Sequence, residues 1–253
     1  MSNMRQDRAI LARSNGVGFY TSHRYRVQRF DDWHQLVCAS HGTLTVAAAD
    51  SVWVVPPQRA VLVPSGVSVE MMGHGPVTLS CIYLASHLVD AKQEVRCRVM
   101  SLDGLVRELV QRTVTVGTLF GDDPHHVRLV ELILDLLEEQ PSAGLSLPVP
   151  RDRRLRAALA TWEKEPDLPV AELPEHIHCS RRTLERLCRD EFGCSPAAWH
   201  RQVAMLAALR FPAEGETVSR VSLAVGYSTP SAFIHAFRQT LGTTPGAYFR
   251  SSA

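Results

Sequence analysis

Between Tyr25 and Leu84 the apolar residues come in short runs, rich in Val and Leu and separated by Gly, Pro, Asp or Ser. The runs are QLVCA (35–39), TLTVAAA (43–49), VWVVP (52–56), AVLVP (60–64), VSVEMM (67–72) and VTLSCIYL (77–84). Short strands at that spacing predict a compact all-β barrel or sandwich. Residues 1–20 carry little pattern. Beyond residue 100 the period lengthens. SLDGLVRELVQRTV places Leu102, Leu105, Val106, Leu109 and Val110 on one helical face, and DPHHVRLVELILDLLEEQ does the same with Val127, Val130, Ile133, Leu134 and Leu137. Asp122 or Asp123 is the expected cap of the second helix, with Pro124 in its first turn. Leu129, Leu132 and Leu136 make that helix apolar over more than one face. Two readings follow: it packs on the barrel alone, or it also packs on a second subunit.

QPSAGLSLPVPRD (140–152) holds three prolines, a glycine and two serines, the composition of an extended, exposed linker. Everything after it reads as helices punctuated by Gly and Pro, and it repeats. VAELPEHIHCSRRTLERLCRDEFGCSPAAWHR (170–201) lies over VSRVSLAVGYSTPSAFIHAFRQTLGTTPGAYFR (218–250). Val170, Leu173 and Ile177 fall on Val218, Val221 and Val225. The shift then grows by one residue, so Leu184, Cys188 and Phe192 fall on Phe233, Phe237 and Leu241. Gly193, Pro196, Trp199 and Arg201 fall on Gly242, Pro245, Tyr248 and Arg250. Each copy predicts a short helix, a tight turn and a second helix, capped by Ser180 or Thr229 and ended by a glycine suited to the left-handed position.

Two helices joined by so short a turn describe a helix-turn-helix, whose second helix fits the DNA major groove. One short helix reads few base pairs. Two copies joined by PAAWHRQVAMLAALR (196–210) can enter successive turns of one duplex. Spacing from Ser180 puts Arg182, Glu185, Arg186 and Arg189 opposite Leu184, Leu187 and Cys188. In the second copy Ser231, Ile234, His235 and Arg238 take the exposed face. The competing reading of the first face is a solvated surface whose arginines pair with Glu185 and Asp190. Cys188 matches Phe237 and so reads as core, with a redox-sensing thiol as the alternative.

Bulk properties modify this picture only slightly. The chain has 253 residues, enough for two domains, with 45% apolar and 21% charged residues and a formal net charge of +1. From Arg151 onward there are 14 Arg/Lys against 11 Asp/Glu, and before it 13 against 15, a mild excess of positive charge on the repeated part. The six cysteines include no CxxC pair, and neither a secretory signal nor an 18-residue apolar run is present. The simplest expectation is a reduced, cytoplasmic protein with no membrane partner.

SRRTLERLCRDEFGCSP in the first copy and VSLAVGYSTPSAFIHAFRQTLGTTPGAY in the second resemble the AraC/XylS family of bacterial transcription regulators. WHQLVCASHGTLTV, WVVPPQRAVLVPSGV and LPVPRDRRLR resemble the subgroup with a cupin-type N-terminal barrel. The resemblance implies an α+β chain. Residues 1–140 would form a cupin-like regulatory and dimerisation domain with two helices, 141–152 a linker, and 153–253 an all-α DNA-binding domain with two helix-turn-helix units. It implies double-stranded DNA as partner, contacted by Ser180, Arg181, Arg182, Thr183, Glu185, Arg186 and Arg189, and by Thr229, Ser231, His235 and Arg238. Arg182, Arg186, Ser231 and His235 match base-reading positions, and Arg238 and Thr229 suit phosphate. A homodimer, a small-molecule effector and, for an activator, RNA polymerase complete the implied partners. Three features depart from the family pattern: Pro174 in the first helix, which should then start late or bend, His178 at a turn where glycine is usual, and RFPAEG (210–215) after the joining helix.

Metal-holding cupins use His-x-His, a Glu and a distant His. The matching positions here are Arg29, Asp31, Gln35 and Val69, a poor donor set, so no metal or cofactor is expected. His34 and His41 read as hydrogen-bonded structural residues, and His125–His126 as surface. Trp33, His34 and Gln35, at the first cupin motif, are the candidate effector contacts. The rival readings are a metal-dependent cupin enzyme, a dioxygenase or isomerase, with a DNA-binding tail, and a regulator that senses no small molecule.

Overall fold

Nine strands, nine α-helices and one short 3-10 helix (Ser86–Leu88) form among the described residues of a computed structural model, which are 9–19, 24–27, 29–57, 59–89, 96–140, 146–211 and 216–250. The strands are β1 (Ile10–Phe19), β2 (Arg24–Val27), β3 (Trp33–Ala48), β4 (Ser51–Val55), β5 (Arg59–Val63), β6 (Val69–Ala85), β7 (Arg98–Ser101), β8 (Thr118–Phe120) and β9 (Ser146–Pro148). Contacts divide the chain into two units, Met1–Ala49 with Val55–Ala143, and Asp50–Val54 with Gly144–Ala253.

The first unit is an antiparallel sheet in the order β7-β5-β3-β6-β1-β8, with β2 also on β6. Four of the expected strands merge into two. QLVCA and TLTVAAA are both β3, and VSVEMM and VTLSCIYL are both β6, so Gly42 interrupts no strand. Register shifts at Ala39/His41 and His41/Thr43 mark bulges instead. Gly42 has φ +75°, and a Cβ there would stand 2.2 Å from the Pro76 carbonyl oxygen. The glycine lets a long bent ribbon close on itself, where sequence alone suggests a turn. β1 falls in the stretch without pattern. It forms because β6 and β8 flank it and satisfy both of its backbone edges.

Helices α1 (Gly104–Val116) and α2 (Pro124–Glu139) cover the face carrying Leu36, Cys38, Ile82 and Leu84. Asp103 caps α1 by accepting from the Val106 N–H, and Asp123 caps α2 by accepting from the His125 N–H, each at 2.8 Å. Val106, Val110 and Thr113 of α1 and Val130, Ile133 and Leu137 of α2 are buried. Each large aliphatic among them contributes about 1.5–3 kcal/mol. Leu102 is buried but precedes the helix. Leu105 departs from the expected face and is 55% exposed, and Leu132 of α2 is 42% exposed. Val127, Leu129, Leu134 and Leu136 are partly buried.

The second unit holds seven helices among its described residues: α3 (Arg153–Lys164), α4 (Leu173–His176), α5 (Arg181–Phe192), α6 (Pro196–Leu209), α7 (Val218–Ala224), α8 (Pro230–Leu241) and α9 (Pro245–Arg250). α6 is buried nearly all round, through Trp199, Val203, Met205, Leu206 and Leu209, because it packs on α5, α7 and α8 together. Two expectations change here. VWVVP reads as a barrel strand, yet residues 50–54 group with the helices. SLP reads as exposed linker, yet β9 pairs with β4 (Val52 opposite Leu147), and Leu147 and Val54 enter the helical core. Arg151 fastens this ribbon by an ion pair with Asp50 at 2.7 Å, and the Arg151 and Asp152 N–H groups donate to the Glu191 carboxylate at 2.8 Å each. Asp152 caps α3 and is held by Arg154, whose hydrogen bonds lower the carboxyl pKa to about 2.

Candidate nucleic-acid interface

α4 and α5 form the first helix pair and α7 and α8 the second, and their paired residues take equivalent places. Leu173 and Val221 are buried, as are Ile177 and Val225, Leu184 and Phe233, Cys188 and Phe237, and Trp199 and Tyr248. Ser180 accepts from the Thr183 N–H at 3.1 Å, and Thr229 accepts from the Ala232 N–H at 3.3 Å. Gly193 at φ +66° and Gly242 at φ +75° end α5 and α8 in the left-handed conformation that glycine adopts without penalty. Side-chain sizes differ between the copies. Phe237 meets Tyr248 edge-on at 5.5 Å, whereas Cys188 leaves room for the larger Trp199, which packs on Phe192 and Trp162. Burial pushes the Cys188 thiol up to about 12, as befits a core residue.

Pro174 acts as expected, in that α4 starts late. It has four residues against seven in α7, with Pro174 in its first turn, where a missing N–H costs nothing. His178 adopts φ +50° at the turn position that Gly226 occupies with φ +86°. Within RFPAEG, residues 212–215 lie outside the described residues.

Leu184, Leu187 and Cys188 anchor α5, which leaves Arg181, Arg182, Glu185, Arg186 and Arg189 exposed and Thr183 half-exposed beside its cap. Arg186 pairs with Asp190 at 3.0 Å and Arg181 with Glu185 at 3.2 Å. Exposed i,i+4 pairs of this kind contribute only about 0.3–0.5 kcal/mol, so a phosphate or a base edge can displace them. Among the described residues Arg182 and Arg189 make no ion pair. Phe233, Ala236 and Phe237 anchor α8, which turns out Ser231, Ile234, His235 and Arg238. Each copy therefore presents one capped helix of 12 residues with a wholly polar or mixed outer face.

In the first unit, Trp33, His34 and Gln35 open β3. Alternation puts Trp33 and Gln35 on one face and His34 on the other. The His34 Nδ1 accepts from the Ser65 N–H at 3.0 Å, and burial lowers its pKa. Trp33, Phe30 and Tyr83 gather around Arg13, and Phe30 meets Tyr83. No local motif signals that cluster, because its members come from separate strands and a loop. Among the described residues no group of three or more His, Cys, Asp or Glu is placed to hold a metal. At the cupin ligand positions, Arg29 and Asp31 form an exposed ion pair at 2.6 Å, and Gln35 and Val69 are buried. His126 corrects the surface reading: it is half-buried and accepts from the Phe120 N–H at 3.2 Å. No helix among the described residues is long and apolar enough to cross a membrane.

Residues 173–251 match the model of a helix-turn-helix domain family, which spans both helix pairs. The chain is 31% identical over 216 residues to the HTH-type transcriptional regulator NimR of Escherichia coli K12, covering 85% of this chain and 78% of that protein. It is 29% identical over 157 residues to a putative AraC-like transcription regulator of Streptomyces lividans, covering 58% and 50% of the two chains. Among solved structures, ToxT from Vibrio cholerae aligns over 95% of this chain and 98% of its own at 9% identity, with a TM-score of 0.41. With a relative that similar over most of both lengths, and with its repeated C-terminal helix pairs, this chain belongs to the AraC/XylS family of DNA-binding transcription regulators.

Proposed function

We propose that the regulator reads its operator through the outer faces of α5 and α8, and that a small molecule bound in the first unit shifts the DNA-binding equilibrium. Arg182 and Arg186 read base edges from α5, where a guanidinium pairs bidentately with guanine O6 and N7. Ser231 and His235 do so from α8, while Arg238 and Thr229 hold phosphates, and Ser180, Arg181, Thr183, Glu185 and Arg189 border the first contact. The observation that carries this reading is the duplication itself: two capped helices with equivalent buried anchors, each turning its unanchored face outward. The effector acts through unequal affinity for the DNA-competent and incompetent states. The protein works in the cytoplasm as a homodimer through α2, without enzymatic activity of its own, and where the outcome is activation RNA polymerase is its further partner. Selection of bound sequences from random duplex DNA tests the proposal. A recovered motif with two half-sites a helical turn apart is the expected result, and recovery of no motif refutes it.

A further inference from the structure

Arg13, Tyr83 and Gln35 stand in one row across three adjacent strands, with Arg13 opposite Tyr83 and Tyr83 opposite Gln35. Directly opposed residues of antiparallel strands share a face, and Trp33, two residues before Gln35, shares it too. The other face is the one that α1 and α2 cover, so this row points away from the helices. The Arg13 guanidinium lies 4.7 Å from the Trp33 ring centre, 5.5 Å from Tyr83 and 5.7 Å from Phe30. Phe30 and Tyr83 meet edge-on at 5.2 Å. The cation thus lies over three aromatic rings. Among the described residues Arg13 makes no hydrogen bond or ion pair.

Gln35 supplies the second, independent observation. It is wholly buried, and among the described residues neither its Nε2 nor its Oε1 has a hydrogen-bond partner. A buried amide with both ends unpaired is costly, and native structures rarely keep one without a ligand or water to complete it.

Resting on the effector reading above, we propose that this row binds a planar organic acid with a hydrogen-bonding group at the end remote from its carboxylate. The Arg13 edge takes the carboxylate in a bidentate pair, the Trp33, Tyr83 and Phe30 rings flank the planar body, and the Gln35 amide meets the remote polar group. The backbones of β1 and β3 lie roughly 10 Å apart, two strand spacings, which suits a molecule that spans from one side chain to the other. An inorganic anion satisfies Arg13 alone, and an apolar molecule satisfies neither polar group.

Calorimetry on the full chain with 4-hydroxycinnamate, cinnamate and 4-hydroxycinnamamide tests this. The hydroxy acid binds tightest, and both loss of its hydroxyl and conversion of its carboxylate to the amide weaken binding at least tenfold. Arg13→Gln abolishes the preference for acid over amide. Gln35→Leu abolishes the preference for hydroxycinnamate over cinnamate and raises the Tm of the unliganded protein, since an unpaired buried amide has gone. Absence of binding by all three probes, or preferences unchanged in both variants, overturns the site, and selection of bound DNA sequences then still judges the regulator reading separately. Binding that leaves operator affinity unchanged upholds the site and refutes the effector role.

Discussion

His178 and Gly226 occupy the same turn of the two helix pairs, and both hold positive φ, +50° and +86°. Glycine adopts this conformation freely, whereas a non-glycine residue pays about 1–3 kcal/mol. His178→Gly therefore stabilises the second unit by about 1 kcal/mol, read as a higher urea midpoint. Gly226→Ala does the reverse. Its Cβ would stand 2.2 Å from the Pro166 carbonyl oxygen, so a backbone clash adds to the dihedral cost. Equal midpoints for both variants and wild type would show that the turn carries no strain.

Two of the arginines proposed to face DNA, Arg186 and Arg238, are expected to behave differently. Arg186→Ala relaxes preference at one base pair, at about 1–3 kcal/mol for the preferred base. Arg238→Ala weakens all sequences alike and lowers the slope of log affinity against log salt by about one. Binding isotherms on the operator and its single-base variants, at several salt concentrations, separate the two effects.

Leu105 and Leu132 are large apolar side chains left facing solvent on α1 and α2. The proposed homodimer would cover such side chains and recover burial that the single chain forgoes. Leu132→Glu should shift the protein from dimer to monomer in light scattering and weaken operator binding at low concentration. A monomeric wild type at working concentration sinks the dimer proposal.

His200, on the joining helix, is expected to make stability depend on pH. Its ring stacks on Trp162 at 4.4 Å, its Nε2 lies 3.3 Å from the Pro166 carbonyl, and burial lowers its pKa below 6.5. The folded state therefore favours neutral His200, while the unfolded chain protonates near 6.5. Its contribution is complete above that pH and is lost as pH falls through 6.5 toward the folded value. The Tm of wild type should drop more steeply between pH 7.5 and 5.5 than that of His200→Gln, and parallel curves would remove His200 from the account.

The α+β class, the helix caps at Ser180 and Thr229, the cap of α2 to within Asp122 or Asp123, and the duplicated anchors were legible because they rest on local rules. Short oxygens satisfy orphan N–H groups, glycine permits left-handed ends, and a 3.6-residue period sorts the faces of α5 and α8. What tertiary structure decided lacks such local signals. Gly42 becomes a bulge because the Pro76 carbonyl comes close. β1 becomes a strand because β6 and β8 take its hydrogen bonds, and Leu147 leaves the linker for the helical core. Arg13, Tyr83 and Gln35, far apart in sequence, meet only through strand register, which long-range pairing sets and no short stretch of residues encodes.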